Sequence, residues 1–324
     1  MDLVTASKIE NDIYMDDLVT GADTMEEVFA LKSSIATIFS KGNFNVKGFV
    51  TTGDSDPVVL ALLGSGDVNR VLGINYNPGT DKLTVTVKIN ISKKSRGKTT
   101  EPDLAYEEIP RILEIKLTRR LILRIVYTCY DPLGLVSVIL IQLKIEMRAL
   151  YDKEKGIGWD DELPREIRQR WVELFQLLKK VEGVEFPRCV KPKRSVGDPD
   201  LIIFNDGSAD AMCAIAYLRW KLESGDWQCF LWTAKTRVTP LQKITIPRSE
   251  MTSLVMGTRL AKTIKNTAEM NFNEVIHILD SNCSLALLHK STWALGKFMG
   301  NKVSEALETT DPDQFYHTST KENC

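Results

Sequence analysis

Three carboxylates stand at positions where a folded chain could bring them together. Asp206 follows the apolar run Leu201–Ile202–Ile203–Phe204, Glu250 opens a helical pattern, and Asp280 ends Val275–Ile276–His277–Ile278–Leu279. In an α/β sheet, strand ends and helix starts gather at one rim, so acids far apart in sequence can share a pocket. Crowded carboxylates repel one another and demand a cation. Hard oxygen donors favour Mg²⁺ or Mn²⁺, and such sites commonly hold two ions that activate a water and steady the leaving oxygen of a phosphodiester. Asp16 and Asp17 form a second acidic group, breaking the β-type run from Ile13 to Val19. The chain carries 43 acidic residues, so acids at element ends are equally what a solvated surface supplies.

The elements that must position these acids can be read from periodicity. Thr24 to Ser40 places Met25, Val28, Leu31, Ile35 and Ile38 at spacings of three and four, with Thr24 as cap and Glu27 three residues on. Val71 to Val87 is strand-like around the turn Asn77–Pro78–Gly79–Thr80–Asp81. From about Pro110 to Val181 the period is helical: Arg119, Arg120 and Arg124 alternate with apolar residues, Asp131–Pro132–Leu133–Gly134 interrupts, a second helix runs through Tyr151, and a third carries Trp171, Leu174, Leu177 and Leu178. Pro187 to Pro199, rich in Pro, Lys and Arg, has a linker composition. Beyond it strands alternate with helices, Leu201–Phe204, Ala211–Trp220 and Cys229–Trp232 preceding a helix over Arg248–Lys265 and the strand Val275–Leu279. That order predicts an α/β fold with a mixed sheet.

Composition narrows the classes. With 324 residues, 43% hydrophobic and 26% charged, the chain can build two or three folded units and is not a disordered tail. The net charge of −1 gives no global attraction to nucleic acid, leaving local basic stretches: Lys93, Lys94, Arg96 and Lys98, then Arg188, Lys191, Lys193 and Arg194. Either stretch is also an ordinary solvated linker. Six cysteines without a CxxC pair indicate neither a zinc site nor a disulfide framework. Leu133 to Leu143, the longest apolar run, is too short to span a bilayer, and no secretory leader is visible, so an intracellular protein away from membranes is expected.

The words around the acids resemble a known family. Asp206–Gly207–Ser208, Ile246–Pro247–Arg248–Ser249–Glu250 and Leu279–Asp280–Ser281, with Lys235 to Leu241 between them, resemble the ribonuclease H-like domain of BEL/Pao retrotransposons. The resemblance implies that Asp206, Glu250 and Asp280 are catalytic metal ligands for Mg²⁺ or Mn²⁺, and that an RNA/DNA hybrid is the partner. Tyr14–Met15–Asp16–Asp17 looks like the reverse transcriptase hairpin, which implies Asp16 and Asp17 as metal ligands there. Tyr127 to Leu135, Lys144 and Gly158–Trp159–Asp160 resemble the Pao connecting region, and no Asp-Thr-Gly or Asp-Ser-Gly triplet supports proteolysis. The implied organisation is the end of a reverse transcriptase palm over 1–105, a helical connecting region over 106–186, a linker over 187–199 and a ribonuclease H-like domain over 200–324, acting beside other parts of a Pol polyprotein.

The sequence departs from the family pattern at Lys47–Gly48, where an aromatic is expected, and at both ends. Only 15 residues precede Asp16, which leaves no room for the rest of a polymerase, and the chain closes with Lys321–Glu322–Asn323–Cys324 after Phe315–Tyr316–His317–Thr318, where the family places a fourth acid. The expectation is an inactive polymerase part and a hybrid-cleaving nuclease impaired by the missing ligand. The alternative is a non-catalytic nucleic-acid-binding remnant or a domesticated retroelement protein. His317 reads as a surface histidine, and the six tryptophans (Trp159, Trp171, Trp220, Trp227, Trp232, Trp293) read as core or linker packing.

Overall fold

Apolar spacing and capping chemistry account for most elements of the computed structural model, which describes residues 3–22, 24–49, 70–77, 79–92, 94–95, 98–99, 101–152 and 156–319. Lys93, Arg96 and the closing Lys321–Cys324 lie outside the described residues. Two compact units are present, one of residues 1–71 and 75–81, the other of residues 72–74 and 82–324.

The first unit opens with helix α1 (Leu3–Asp12), a segment with weak apolar periodicity. A short antiparallel hairpin follows, β1 (Ile13–Tyr14) and β2 (Asp17–Leu18), with Tyr14 opposite Asp17 and Met15 at φ 53°. Helix α2 (Met25–Lys41) starts at the expected capping box: Glu27 N–H donates to Thr24 Oγ1 and Thr24 N–H donates to the Glu27 carboxylate. The strands β3 (Arg70–Val71), β4 (Ile74–Asn77), β5 (Lys82–Val85), β6 (Lys94–Ser95) and β7 (Lys98–Thr99) come next. At the turn after β4, Asn77 Oδ1 accepts from the N–H groups of Gly79 and Thr80.

The second unit begins its helical part with a 3₁₀ segment (Tyr106–Leu113), followed by α3 (Arg119–Val126), α4 (Ser137–Ala149) and α5 (Arg165–Lys180). Their inward residues build one core, with Ile109, Ile112, Ile122, Leu143, Trp171, Phe175 and Leu178 fully buried. Each such side chain contributes about 1.5–3 kcal/mol relative to exposure. The arginines of α3 tie loops to this core. Arg124 Nη2 donates to the carbonyls of Asn90 and Ser92 at 2.8 Å, while Arg119 stacks over the rings of Tyr151 and Trp159.

After β8 (Phe186–Pro187), which pairs with β5, the sheet of five strands is built from β9 (Asp200–Gly207), β10 (Ala211–Lys221), β11 (Trp227–Val238), β12 (Val275–Leu279) and β13 (Phe315–His317). Its order is β11-β10-β9-β12-β13, antiparallel on the β11 side and parallel from β9 to β13, so the fold is mixed α/β. Helix α6 (Ile246–Thr267) covers one face, burying Leu254, Leu260, Ala261 and Ile264 among them. Helices α7 (Asn282–Leu288) and α8 (Lys297–Leu307) complete that layer, with Val303 and Ala306 packed against Met251 and Val255.

The edge strand β11 does not stand open along its length. Ala234 N–H donates to Leu133 O at 2.9 Å, Thr233 Oγ1 to the same carbonyl at 2.7 Å, and Lys235 Nζ to Pro132 O at 3.1 Å. The Asp131–Gly134 word thus caps an exposed ladder. Gly134 is obligatory there, because it sits at φ 75° and a Cβ would fall 2.0 Å from Ala234 O. Asp131 also holds the start of α4, accepting from Leu135 and Val136 N–H at 2.9 Å. Farther along α4, Arg148 donates to the carbonyls of Asp210 and Thr239 and pairs with the Asp210 carboxylate at 2.6 Å.

His277 in the middle of β12 is fully buried, stacked on Phe315 at 4.8 Å, with neither ring nitrogen bonded. Burial pushes its pKa down to about 4. The folded state therefore binds fewer protons than the unfolded chain between about pH 6.5 and 4, and stability present above that window is lost as pH falls through it. The wild-type chain should lose up to about 3 kcal/mol more between pH 7 and pH 4 than a His277→Leu variant. Urea unfolding at the two pH values measures this, and parallel losses in both proteins would reject it.

Candidate metal centre

Strand β9 carries a compensated acid at one end and an uncompensated one at the other. Asp200 is buried but takes three bonds: Arg219 Nε at 2.9 Å, Arg219 Nη2 at 2.8 Å and Asn273 Nδ2 at 2.9 Å. That acid is structural. Asp206, six residues or about 20 Å farther along the strand, forms no ion pair among the described residues.

The parallel register brings Asp280 beside it. Leu279 pairs with Asn205, so the next residue on each strand is one of the predicted acids. Glu250 reaches the same place from near the start of α6, because Gly207 lets that part of the helix lie against the strand. A Cβ at Gly207 would fall 2.4 Å from Ser249 C and 2.5 Å from Glu250 N. Asp206, Glu250 and Asp280 thereby line one cleft with Asn205, Gly207, Ser253, Leu254, Leu279, Ser281 and Ser284. Its free space of about 10 Å³ is that of a single water or ion centre.

Electrostatics register the crowding. Asp206 is an exposed residue, yet its carboxyl is raised above the usual aspartate range, first by lost hydration and then by the charge of Asp280, with Glu250 adding less, against a lowering hydrogen bond from the Gly207 backbone. No Lys or Arg pairs with any of the three among the described residues. Nor do three His, Cys, Asp or Glu side chains among the described residues converge closely enough to hold an ion as they stand. Glu250 Oε2 is engaged elsewhere, accepting from Ser281 Oγ at 2.6 Å and, at a longer 3.4 Å, from Ser284 Oγ.

Two further residues border the acids. Cys213 lies directly across from Asp206 in the β9–β10 ladder, and burial with the nearby charges of Asp206 and Asp280 pushes its thiol up to about 11. It stays protonated at neutral pH, so the donors present are carboxylate oxygens, which suit a hard divalent ion. His317, in register with Leu279, is exposed with Nε2 3.2 Å from Asp280 O. Asp16 and Asp17 lie in the first unit on the β1–β2 hairpin, Asp16 exposed and Asp17 half-buried.

Residues 118–281, more than half of the chain, match the family described as Pao retrotransposon-like RNaseH-like domain. The chain belongs to this family. The match runs from the cap of α3 through the helical segment to Ser281, so the Pao-type region includes all three acids. No curated protein sequence matches. Among solved structures, ribonuclease H1 of the archaeon Halobacterium salinarum NRC-1 is 13% identical, covering 38% of this chain and 89% of its own, at a TM-score of 0.25. LC11 ribonuclease H1, from compost and in complex with an RNA/DNA hybrid, is 15% identical over 39% of this chain and 89% of its own, also at 0.25. The prototype foamy virus protease-reverse transcriptase is 12% identical over 98% of this chain and 37% of its own, at 0.28.

Tryptophan placement corrects the sequence reading in three cases. Trp171 and Trp220 are buried and Trp232 is half-buried, but Trp159, Trp227 and Trp293 are exposed, the last by 87%. Trp227 lies under Arg219 at 4.5 Å, and Trp293 sits on the 3₁₀ turn between α7 and α8.

The close approach at Gly207 is the step that places Glu250. A Gly207→Ala variant should lose about 1–3 kcal/mol by forcing α6 away from β9. Gly183→Ala, where a Cβ meets nothing within 4 Å, should change little. Urea denaturation of both compares them, and equal stabilities would show that the strand and helix have room to spare.

Proposed function

We propose that the C-terminal sheet is a Mg²⁺-dependent ribonuclease H-type centre that hydrolyses the RNA strand of an RNA/DNA hybrid. Asp206, Glu250 and Asp280 would hold the ions. The observation that supports this reading most is the set of three carboxylates lining one small cleft without a cation partner among the described residues. Membership of the Pao family supports the substrate class. Under the same reading, Asp16 and Asp17 are the pair that would hold Mg²⁺ in a palm-type centre.

When bound, the divalent ions supply Lewis acidity toward the phosphodiester and its attacking water. The chain's own residues do the rest. Asp206 and Asp280 present carboxylate oxygens from adjacent strand ends, a rigid base for orientation. Glu250 closes the cleft from the helix side. Leu254 and Leu279 line its floor and limit competing water. The exposed cations Arg237, Lys243 and Arg248 stand on the segments leading to Glu250, where phosphates of a duplex can be met. The hybrid would be read by its shape and 2′-hydroxyls rather than its bases.

A second reading is favoured by the three acids not converging closely enough to hold an ion as they stand: a module that binds hybrid without cutting it. One assay separates the two. Incubation with a labelled RNA/DNA hybrid and Mg²⁺ should yield RNA cleavage that an Asp280→Asn variant loses by at least about tenfold, since a missing carboxylate weakens ion occupancy. Absent cleavage, or equal cleavage by both proteins, would reject catalysis here. Salt-sensitive binding alone would then identify the module.

A further inference from the structure

Ser281 does more than begin a helix. Its Oγ accepts from Ser284 N–H at 3.2 Å, the usual capping bond of α7. A serine hydroxyl has one proton and two lone pairs, so the proton remains free for another acceptor. It goes to Glu250 Oε2 at 2.6 Å, a distance typical of a charge-assisted O–H···O⁻ bond. Ser281 is buried, which leaves its proton little access to water, and Glu250 is 31 residues away in sequence.

The consequence lies in the geometry of Glu250. A glutamate has three rotatable side-chain bonds, and fixing them costs conformational entropy. Asp206 and Asp280 are held close to the sheet by short side chains at strand ends; Glu250 projects from a helix and needs an external restraint. Ser281 supplies it from the residue next to Asp280. The bond engages one of the two carboxylate oxygens, Oε2. A single Asp–Ser dipeptide therefore presents one acid and orients another.

Resting on the metal-centre reading above, we propose that Ser281 is a positioning residue that pre-orients Glu250 for a divalent cation, with Ser284 as a weaker second donor. Calorimetric titration of the whole chain with Mn²⁺ tests this without relying on catalysis. Ser281→Ala should raise the Mn²⁺ Kd by about tenfold, as loss of a hydrogen-bond partner to a metal ligand commonly does. Ser281→Thr, which keeps the hydroxyl, should restore it. In a Glu250→Gln background the Ser281→Ala change should have little further effect, because its action runs through Glu250.

Thermal melting alongside distinguishes a lost helix cap. A lower Tm with unchanged Mn²⁺ affinity would overturn the inference, as would an equal loss of affinity in the Glu250→Gln background. Should Ser281→Ala fail to fold, Ser281→Thr and Glu250→Gln decide through Ser284→Ala, which must weaken Mn²⁺ binding in the wild-type background only; no effect there overturns the inference. If the wild-type chain and an Asp280→Asn variant bind Mn²⁺ alike, the metal-centre reading itself fails, and this inference with it.

Discussion

The parallel register of β9 and β12, which sets Asp206 beside Asp280 at the edge of a helix that carries Glu250, is the constraint on which the candidate site depends. Asp206 and Asp280 are forced together by the β9–β12 register, and Glu250 is added by a helix that can approach only because position 207 has no side chain. A sheet meant only to be stable would not gather them. Its own solution for a buried acid is visible at Asp200, which is wrapped by Arg219 and Asn273. The contrast between the two ends of one strand is what the proposed metal site rests on.

The helical segment before the sheet contributes to the same arrangement. The Asp131–Gly134 loop caps β11, and Arg148 on α4 gathers the carbonyls of Asp210 and Thr239. Asp210 lies in the turn that follows Asp206, so α4 restrains the chain just beyond the first acid. The family match begins at residue 118 and runs through both parts, consistent with their being one structural entity rather than beads joined by a tether.

Much of this was legible beforehand, for identifiable reasons. The strands β9 and β12 are continuous apolar runs ending in Asp, and the Thr24 cap with Glu27 is a local signal that needs no tertiary information. The acids could be paired only through the words around them, since spacing alone does not reveal strand order. Helix α1 was missed because Leu3–Asp12 has weak apolar periodicity. Trp227 and Trp293 were assigned to packing on residue type, but exposure depends on which side of a turn the ring leaves. Ser281 was visible as part of a motif; its bond to Glu250 was not, because it joins residues brought together only by the α6–β12 contact.

The central claim is that these three carboxylates exist to surround a divalent ion. Anomalous diffraction from crystals soaked in Mn²⁺ addresses it directly. The account predicts an ion peak at the cleft with oxygens of Asp206, Glu250 and Asp280 at about 2.1 Å, the distance expected of a small hard cation. A cleft that stays free of Mn²⁺ while the acids remain as they are, or an ion bound only elsewhere on the chain, would contradict it.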